Sequence, residues 1–112
     1  MYYNLFLDDE RLPEDVTWID YGNIGCWHTI RTFDQFKQAI VHCMPEYISF
    51  DHDIQCFDVD NNQEYTGYDC LKWLAYYCQQ YDYMMPVCFF HSKNPVGVKN
   101  MESYYKSYKA QE

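Results

Sequence analysis

Apolar residues come in short blocks along this chain, and each block ends on a cluster of polar or ionisable residues. Tyr2 to Leu7 is the first block and stops at Asp8-Asp9-Glu10-Arg11-Leu12-Pro13, the pattern of a buried strand with an abrupt end. From there to Gly25 only the pair Trp18-Ile19 is apolar at neighbouring positions, and neither a helical nor a strand period is present. A long connection is expected. Cys26 to Ile30 predicts a second strand. Thr32, with Gln35 three residues on, forms a capping box. Phe33, Phe36, Ile40, Cys43 and Met44 then recur at helical spacing, so a helix is expected from about residue 33 to about residue 44. Pro45 stops it.

The next block, Tyr47-Ile48-Ser49-Phe50, runs directly into Asp51-His52-Asp53. Residues 55–65 are acidic and polar and read as a loop. Within it Asp58, Asp60 and Asn62 imitate the start of a calcium-binding loop. Gln63 stands where the turn needs glycine and Asp69 where a bidentate glutamate belongs, so the match is a decoy. Thr66 with Asp69 repeats the capping pattern, and Cys70, Leu71, Leu74, Cys78 and Tyr81 mark the apolar face of a second helix. Pro86 to Phe90 predicts a further strand, ending in His91-Ser92-Lys93. Asn94 followed by Pro95 is an N-cap with proline at the first helical position. Val98, Met101, Tyr105 and Tyr108 give the last helix its buried stripe.

Strand and helix alternate from the second strand onward, which predicts an α/β protein with a mostly parallel sheet of about four to five strands, a three-layer sandwich formed by one domain over residues 1–112. Right-handed crossovers put the first strand beside the third. Asp8-Asp9 and Asp51-His52-Asp53 then meet at the carboxyl edge of the sheet, where open α/β sheets bind ligands.

Charge narrows the chemistry. Seventeen acidic residues against eight basic ones leave a net charge of −9, a field that repels a DNA duplex and an anionic membrane. It favours a cation, or a small substrate whose phosphate is bound locally. The start, Met1-Tyr2-Tyr3-Asn4, lacks the basic residues of a secretory signal, and Asp8 ends the apolar run too early for a membrane span. The six cysteines stand singly with no C-x-x-C pair, so reduced thiols in a cytoplasmic protein are expected.

Asp8, Asp9, Asp51 and Asp53 are hard oxygen donors of the kind that hold Mg²⁺ or Mn²⁺. Side chains alternate in an extended chain, so Asp51 and Asp53 are expected on one side and His52 on the other. His91 closes the strand beside the central one and is the first candidate proton donor, with His52 second. Ser92, Asn94 and the first amides of the last helix form an anion-binding helix start, to which Lys93 or Lys99 adds charge.

Four segments, LFLDDERLP (5–13), ISFDHDI (48–54), TGYD (66–69) and HSKNPVGVKNM (91–101), together resemble the cyclic-phosphate-processing receiver family, a divergent branch of response-regulator receiver-like domains. The resemblance implies a flavodoxin/receiver-like sheet and a phosphoesterase acting on a cyclic phosphate. Asp8, Asp9, Asp51, His52, Asp53, His91, Ser92 and Asn94 fall on the family's polar positions. Ordinary receivers are similar in the paired acids after the first strand and in the aspartate ending the third, where Asp51 would accept a phosphoryl group. This chain departs from them in placing His52-Asp53 directly afterwards and in lacking a clear lysine at the end of a fifth strand. The expected activity is metal-assisted opening of a cyclic phosphodiester on a nucleotide or RNA end. Asp51, His52 and His91 would be catalytic, and Ser92, Lys93, Asn94 and Lys99 would bind phosphate. The alternative is a non-catalytic nucleotide-binding or receiver-type interaction module, including a phage or viral protein that sequesters a nucleotide.

Overall fold

A computed structural model describes residues 2–60 and 62–112. Four parallel strands form the main sheet: β1 (Asn4–Leu7), β2 (Trp27–Ile30), β3 (Tyr47–Phe50) and, late in the chain, Val87–Phe90. The helices are α1 (Phe33–His42), α2 (Gly67–Tyr81) and α3 (Pro95–Gln111). Between β3 and α2 lies an antiparallel hairpin of β4 (Cys56–Asp58) and β5 (Gln63–Tyr65), so the late strand is β6. The sheet order is β2-β1-β3-β6, with β1 beside β3 as the crossover rule requires. This is a receiver/flavodoxin-like α/β fold.

The three helices start where the sequence places them. Thr32 accepts the Gln35 amide at 3.1 Å. Thr66 and Asp69 cap each other's amides reciprocally, and Asn94 accepts the Gly97 amide at 3.1 Å ahead of Pro95. Each such cap stabilises its helix by about 1 kcal/mol. α1 ends at His42, two residues before the expected limit, because Cys43 already has extended backbone and caps the helix. Cys26 likewise stays outside β2, with a φ of +57° that no strand accepts.

The helices pack on one face of the sheet. Leu5, Leu7, Ile48, Phe50 and Cys88 point into a core with Phe36 and Ile40 of α1, Leu71 and Leu74 of α2 and Met101 of α3. Alternation sends Phe6, Ser49 and Phe89 to the opposite face. There the covering layer is the connection between β1 and β2, which holds a single 3₁₀ turn (Pro13–Asp15). Tyr21 from this connection packs edge-on to Phe89 and against Trp27, and Trp27 meets Phe6. Irregular chain rather than helix therefore makes the third layer.

The hairpin corrects the reading of residues 55–65 as a loop. Its side chains are exposed or half-buried on both strands, so no alternation of apolar and polar residues marks it. Asp58 accepts the Asp60 amide at 3.0 Å inside the turn.

Candidate functional site

The parallel register aligns Leu7, Phe50 and Phe90, the last residues of three adjacent strands. One residue further on, Asp8, Asp51 and His91 therefore stand side by side. The Asp51 amide bonds the Leu7 carbonyl and the His91 amide the Phe50 carbonyl, both at 2.9 Å, so the ladder still holds all three backbones. Each side chain offers one ligand atom, and these atoms lie within 4.8 Å of one another. Asp8 and His91 are fully buried and Asp51 is 5 % exposed.

The two carboxyls are driven apart electrostatically. Burial would raise Asp8, but hydrogen bonds outweigh it and hold the carboxyl well below the usual range. His91 Nε2 lies 3.0 Å from Asp8 Oδ2, and the Glu10 and Arg11 amides each donate to Oδ1 at 2.8 Å. Arg11 Nη1 adds a looser contact to Oδ2 at 3.3 Å. Asp51 moves the other way: burial and the neighbouring Asp8 charge push it up, against His91, the Ser92 hydroxyl and the His52 amide. Every buried side-chain nitrogen and oxygen among the described residues has a partner.

A divalent cation fits this trio. Two carboxylate oxygens and one imidazole nitrogen converge, and a cation would remove the repulsion between Asp8 and Asp51. It would have to take the place of two donors on Asp8 Oδ2, His91 Nε2 at 3.0 Å and Arg11 Nη1, a long contact from a side chain that is 31 % exposed. The imidazole suits Mn²⁺ better than Mg²⁺, which prefers oxygen ligands throughout.

Behind the trio runs a buried polar chain. His91 Nδ1 is 2.7 Å from Ser49 Oγ, and Ser49 Oγ is 2.6 Å from the Tyr21 hydroxyl. Phe6 stacks on the His91 ring at 4.4 Å between centroids.

A second cluster forms beside the trio, because the chain leaves extended geometry after Phe50. Alternation consequently fails there: Asp53 is not beside Asp51, and instead accepts from His52 Nδ1 at 2.9 Å and from Asn94 Nδ2 at 3.1 Å. The His52 bond, partly opposed by burial, holds the Asp53 carboxyl below its ordinary range. Asn94 thus caps α3 and fixes Asp53 with one side chain. Asp9 is half-buried at the end of β1 and outside the trio; burial, then Glu10 and Asp8, push its carboxyl up. Ser92 is turned to Asp51 and to the Asn94 amide. Lys93 sits over the Trp18 ring at 4.3 Å and Arg11 over the same ring at 5.3 Å, while Trp18 Nε1 donates to the His91 carbonyl at 2.8 Å. Lys99 is exposed further along α3.

Two glycines seat the Asp51-His52 turn, and sequence reasoning passed over both. A Cβ on Gly67 would lie 1.7 Å from the Asp51 carbonyl oxygen, and one on Gly97 would lie 2.5 Å from His52 Cγ. Their signal was glycine in the first turn of a helix, where it is unfavourable unless something must come close. Ser49 was also missed. Its signal was the lone polar residue inside an apolar strand block. Arg31, whose guanidinium ties the Asp8 and Arg11 carbonyls at 2.9 Å each, gave no sequence signal.

A four-stranded parallel sheet, helices packed on one face and an acid–imidazole trio at its carboxyl edge define a receiver-like protein. The family model of the cyclic-phosphate processing receiver domain matches residues 3–107, and the chain belongs to that family. Membership ties it to the processing of cyclic phosphates and so to a small phosphorylated substrate. No curated protein and no solved structure matches the chain. No helix among the described residues is long and apolar enough to cross a membrane.

Proposed function

We propose that this protein is a metal-dependent phosphoesterase that opens a small cyclic phosphodiester, on a nucleotide or an RNA end, working in the cytoplasm as one domain over residues 1–112. The observation that carries the reading is the convergence of Asp8, Asp51 and His91 within 4.8 Å in a chain of this family. These three would hold Mn²⁺ or Mg²⁺. When bound, the cation supplies positive charge to the phosphoryl oxygens.

The remaining work falls to the chain's own residues. Ring opening needs a proton for the departing alkoxide. Both nitrogens of His91 are engaged, by Asp8 and Ser49, and its ring is sealed. His52 suits the task better: its side chain is 17 % exposed, and Asp53 fixes the ring through Nδ1. With Nδ1–H given to Asp53, it is the imidazolium form of His52 that carries a second proton on Nε2 for the leaving oxygen, and it is left neutral once that proton is transferred. Asn94 keeps Asp53 in place. Lys93 and Arg11, gathered at Trp18, bring positive charge to the rim in a chain that is otherwise strongly acidic. Pro95 has no N–H and Asn94 already takes the Gly97 amide, so the start of α3 adds little beyond these cations. Ser92 serves Asp51, and Lys99 is peripheral.

The test is product formation. Purified protein is incubated with 2′,3′-cyclic and 3′,5′-cyclic nucleotides and with RNA ending in a cyclic phosphate, in Mn²⁺ or in EDTA. Linear monoester in Mn²⁺ alone is expected, with long RNA the poorer and more salt-sensitive substrate. His52→Ala should lower turnover about 10²–10⁴-fold and leave Mn²⁺ binding intact. Tight binding of unchanged ligand would replace the enzyme by a sequestering protein, and labelling of Asp51 by acetyl phosphate would replace it by a switch.

A further inference from the structure

Ser49 and Tyr21 hydrogen-bond to neither Asp8 nor Asp51, yet they complete a continuous line of polar atoms from the trio to the connection that covers the helix-free face of the sheet. The line runs Asp8 Oδ2, His91 Nε2, His91 Nδ1, Ser49 Oγ and Tyr21 OH, in steps of 3.0, 2.7 and 2.6 Å between side chains. Ser49 and His91 are fully buried, so no water reaches the bond between them. Tyr21 is half-buried, and its ring is held by Trp27 and Phe89.

The line can be oriented in two directions. Asp8 carries a carboxylate that only accepts, so with no cation present His91 Nε2 holds a hydrogen toward it. Nδ1 is then free to accept from Ser49, which accepts in turn from Tyr21. A metal ligand must present a lone pair instead. For Nε2 to do so, the ring hydrogen must be on Nδ1, donated to Ser49, whose own hydrogen turns to Tyr21. Each hydroxyl donates in one direction and accepts in the other, and can exchange the two by rotating its hydrogen.

We infer that Ser49 and Tyr21 are positioning residues for a metal on Asp8, Asp51 and His91, and that their reversible hydroxyl pair lets the sealed His91 ring turn its Nε2 lone pair to the cation. The inference rests on the metal reading given above. Without the Ser49 hydroxyl, the ligating form of His91 buries an Nδ1–H with no acceptor. Partners of this kind behind a metal-bound histidine typically carry about 10–100-fold in affinity.

Mn²⁺ affinity, followed by the loss of the free-ion electron paramagnetic resonance signal, tests this in wild type, Ser49→Ala, Tyr21→Phe and Asp51→Ala. Ser49→Ala should weaken Mn²⁺ by about 10–100-fold. Tyr21→Phe, which keeps the ring against Trp27 and Phe89, should weaken it by a smaller factor. Ring-nitrogen spectra with Zn²⁺ as the diamagnetic probe should show His91 in its Nδ1–H form in wild type. A purely structural Ser49 would not change that form. If Ser49→Ala fails to fold, Tyr21→Phe and the ring spectra carry the test. Wild-type affinity in Ser49→Ala, or in Tyr21→Phe as the surviving variant, would overturn the inference while Asp51→Ala still abolished binding. Absence of Mn²⁺ binding by the wild type would overturn the metal reading and this inference together.

Discussion

Replacing Asp51 by asparagine is expected to stabilise the metal-free protein. Asp8 and Asp51 present oxygens no more than 4.8 Å apart in a buried site. Two full charges at that distance repel by about 3 kcal/mol at an effective dielectric of roughly 20. Attraction to His91 and the hydrogen bonds from Ser92 and the His52 amide return part of this. The asparagine oxygen keeps the His52 amide as a donor, so a net gain of about 1–2 kcal/mol is expected, or roughly 4–8 °C in Tm. The pH dependence has a definite sign. The folded-state carboxyl of Asp51 is raised, so its contribution to stability is fully present below about pH 4 and is lost as pH rises through the raised value. Asparagine suffers no such loss. The advantage of Asp51→Asn should therefore be absent near pH 4 and open as pH rises toward 8, in urea titrations with EDTA. Saturating Mn²⁺ should invert the order, since ligand at 100 times Kd stabilises wild type by about 2.7 kcal/mol and the variant has lost a ligand. A variant less stable than wild type at pH 7 in EDTA, or an advantage equal at every pH, would refute the reasoning.

Asp8→Asn should behave in the opposite way, losing about 1.5–3 kcal/mol at pH 7 because the His91 ring N–H and the Glu10 and Arg11 amides lose a charged acceptor. A lowered carboxyl contributes stability that is present above its ordinary pKa and lost as pH falls toward the depressed value, so this deficit should shrink below about pH 4 in the same urea titrations. Gly67→Ala drives a Cβ into the backbone of Asp51 and should cost about 3 kcal/mol or more; a melting curve within about 1 kcal/mol of wild type would contradict it. Gly97→Ala meets a side chain that can move, so it should cost only about 1–2 kcal/mol while swinging His52 off Asp53. Turnover should then fall at least about tenfold, within the range of a misplaced acid–base group, with Mn²⁺ binding unchanged.

Local chemistry decided much of this protein at the level of sequence. Thr32, Thr66 and Asn94 start their helices through bonds that span three residues, and each acts within its own stretch of chain. The order β2-β1-β3-β6 follows from handedness once strand and helix alternate, and that order alone brings the polar ends of β1, β3 and β6 together. The hairpin escaped because exposed strands carry no apolar period, and the layer over Phe6, Ser49 and Phe89 escaped because irregular chain has no period to read. Which acids face the crevice was decided only by tertiary structure. Asp8 and His91 meet across 83 residues, Asn94 and Asp53 across 41, and Ser49 and Tyr21 across 28. Asp53 leaves the trio and His91 joins it because the path of the chain past its last strand residue is fixed by those distant partners and by the close approach of Gly67 and Gly97. A sequence records the side chains available at a strand end, whereas their directions depend on what the rest of the fold packs against them.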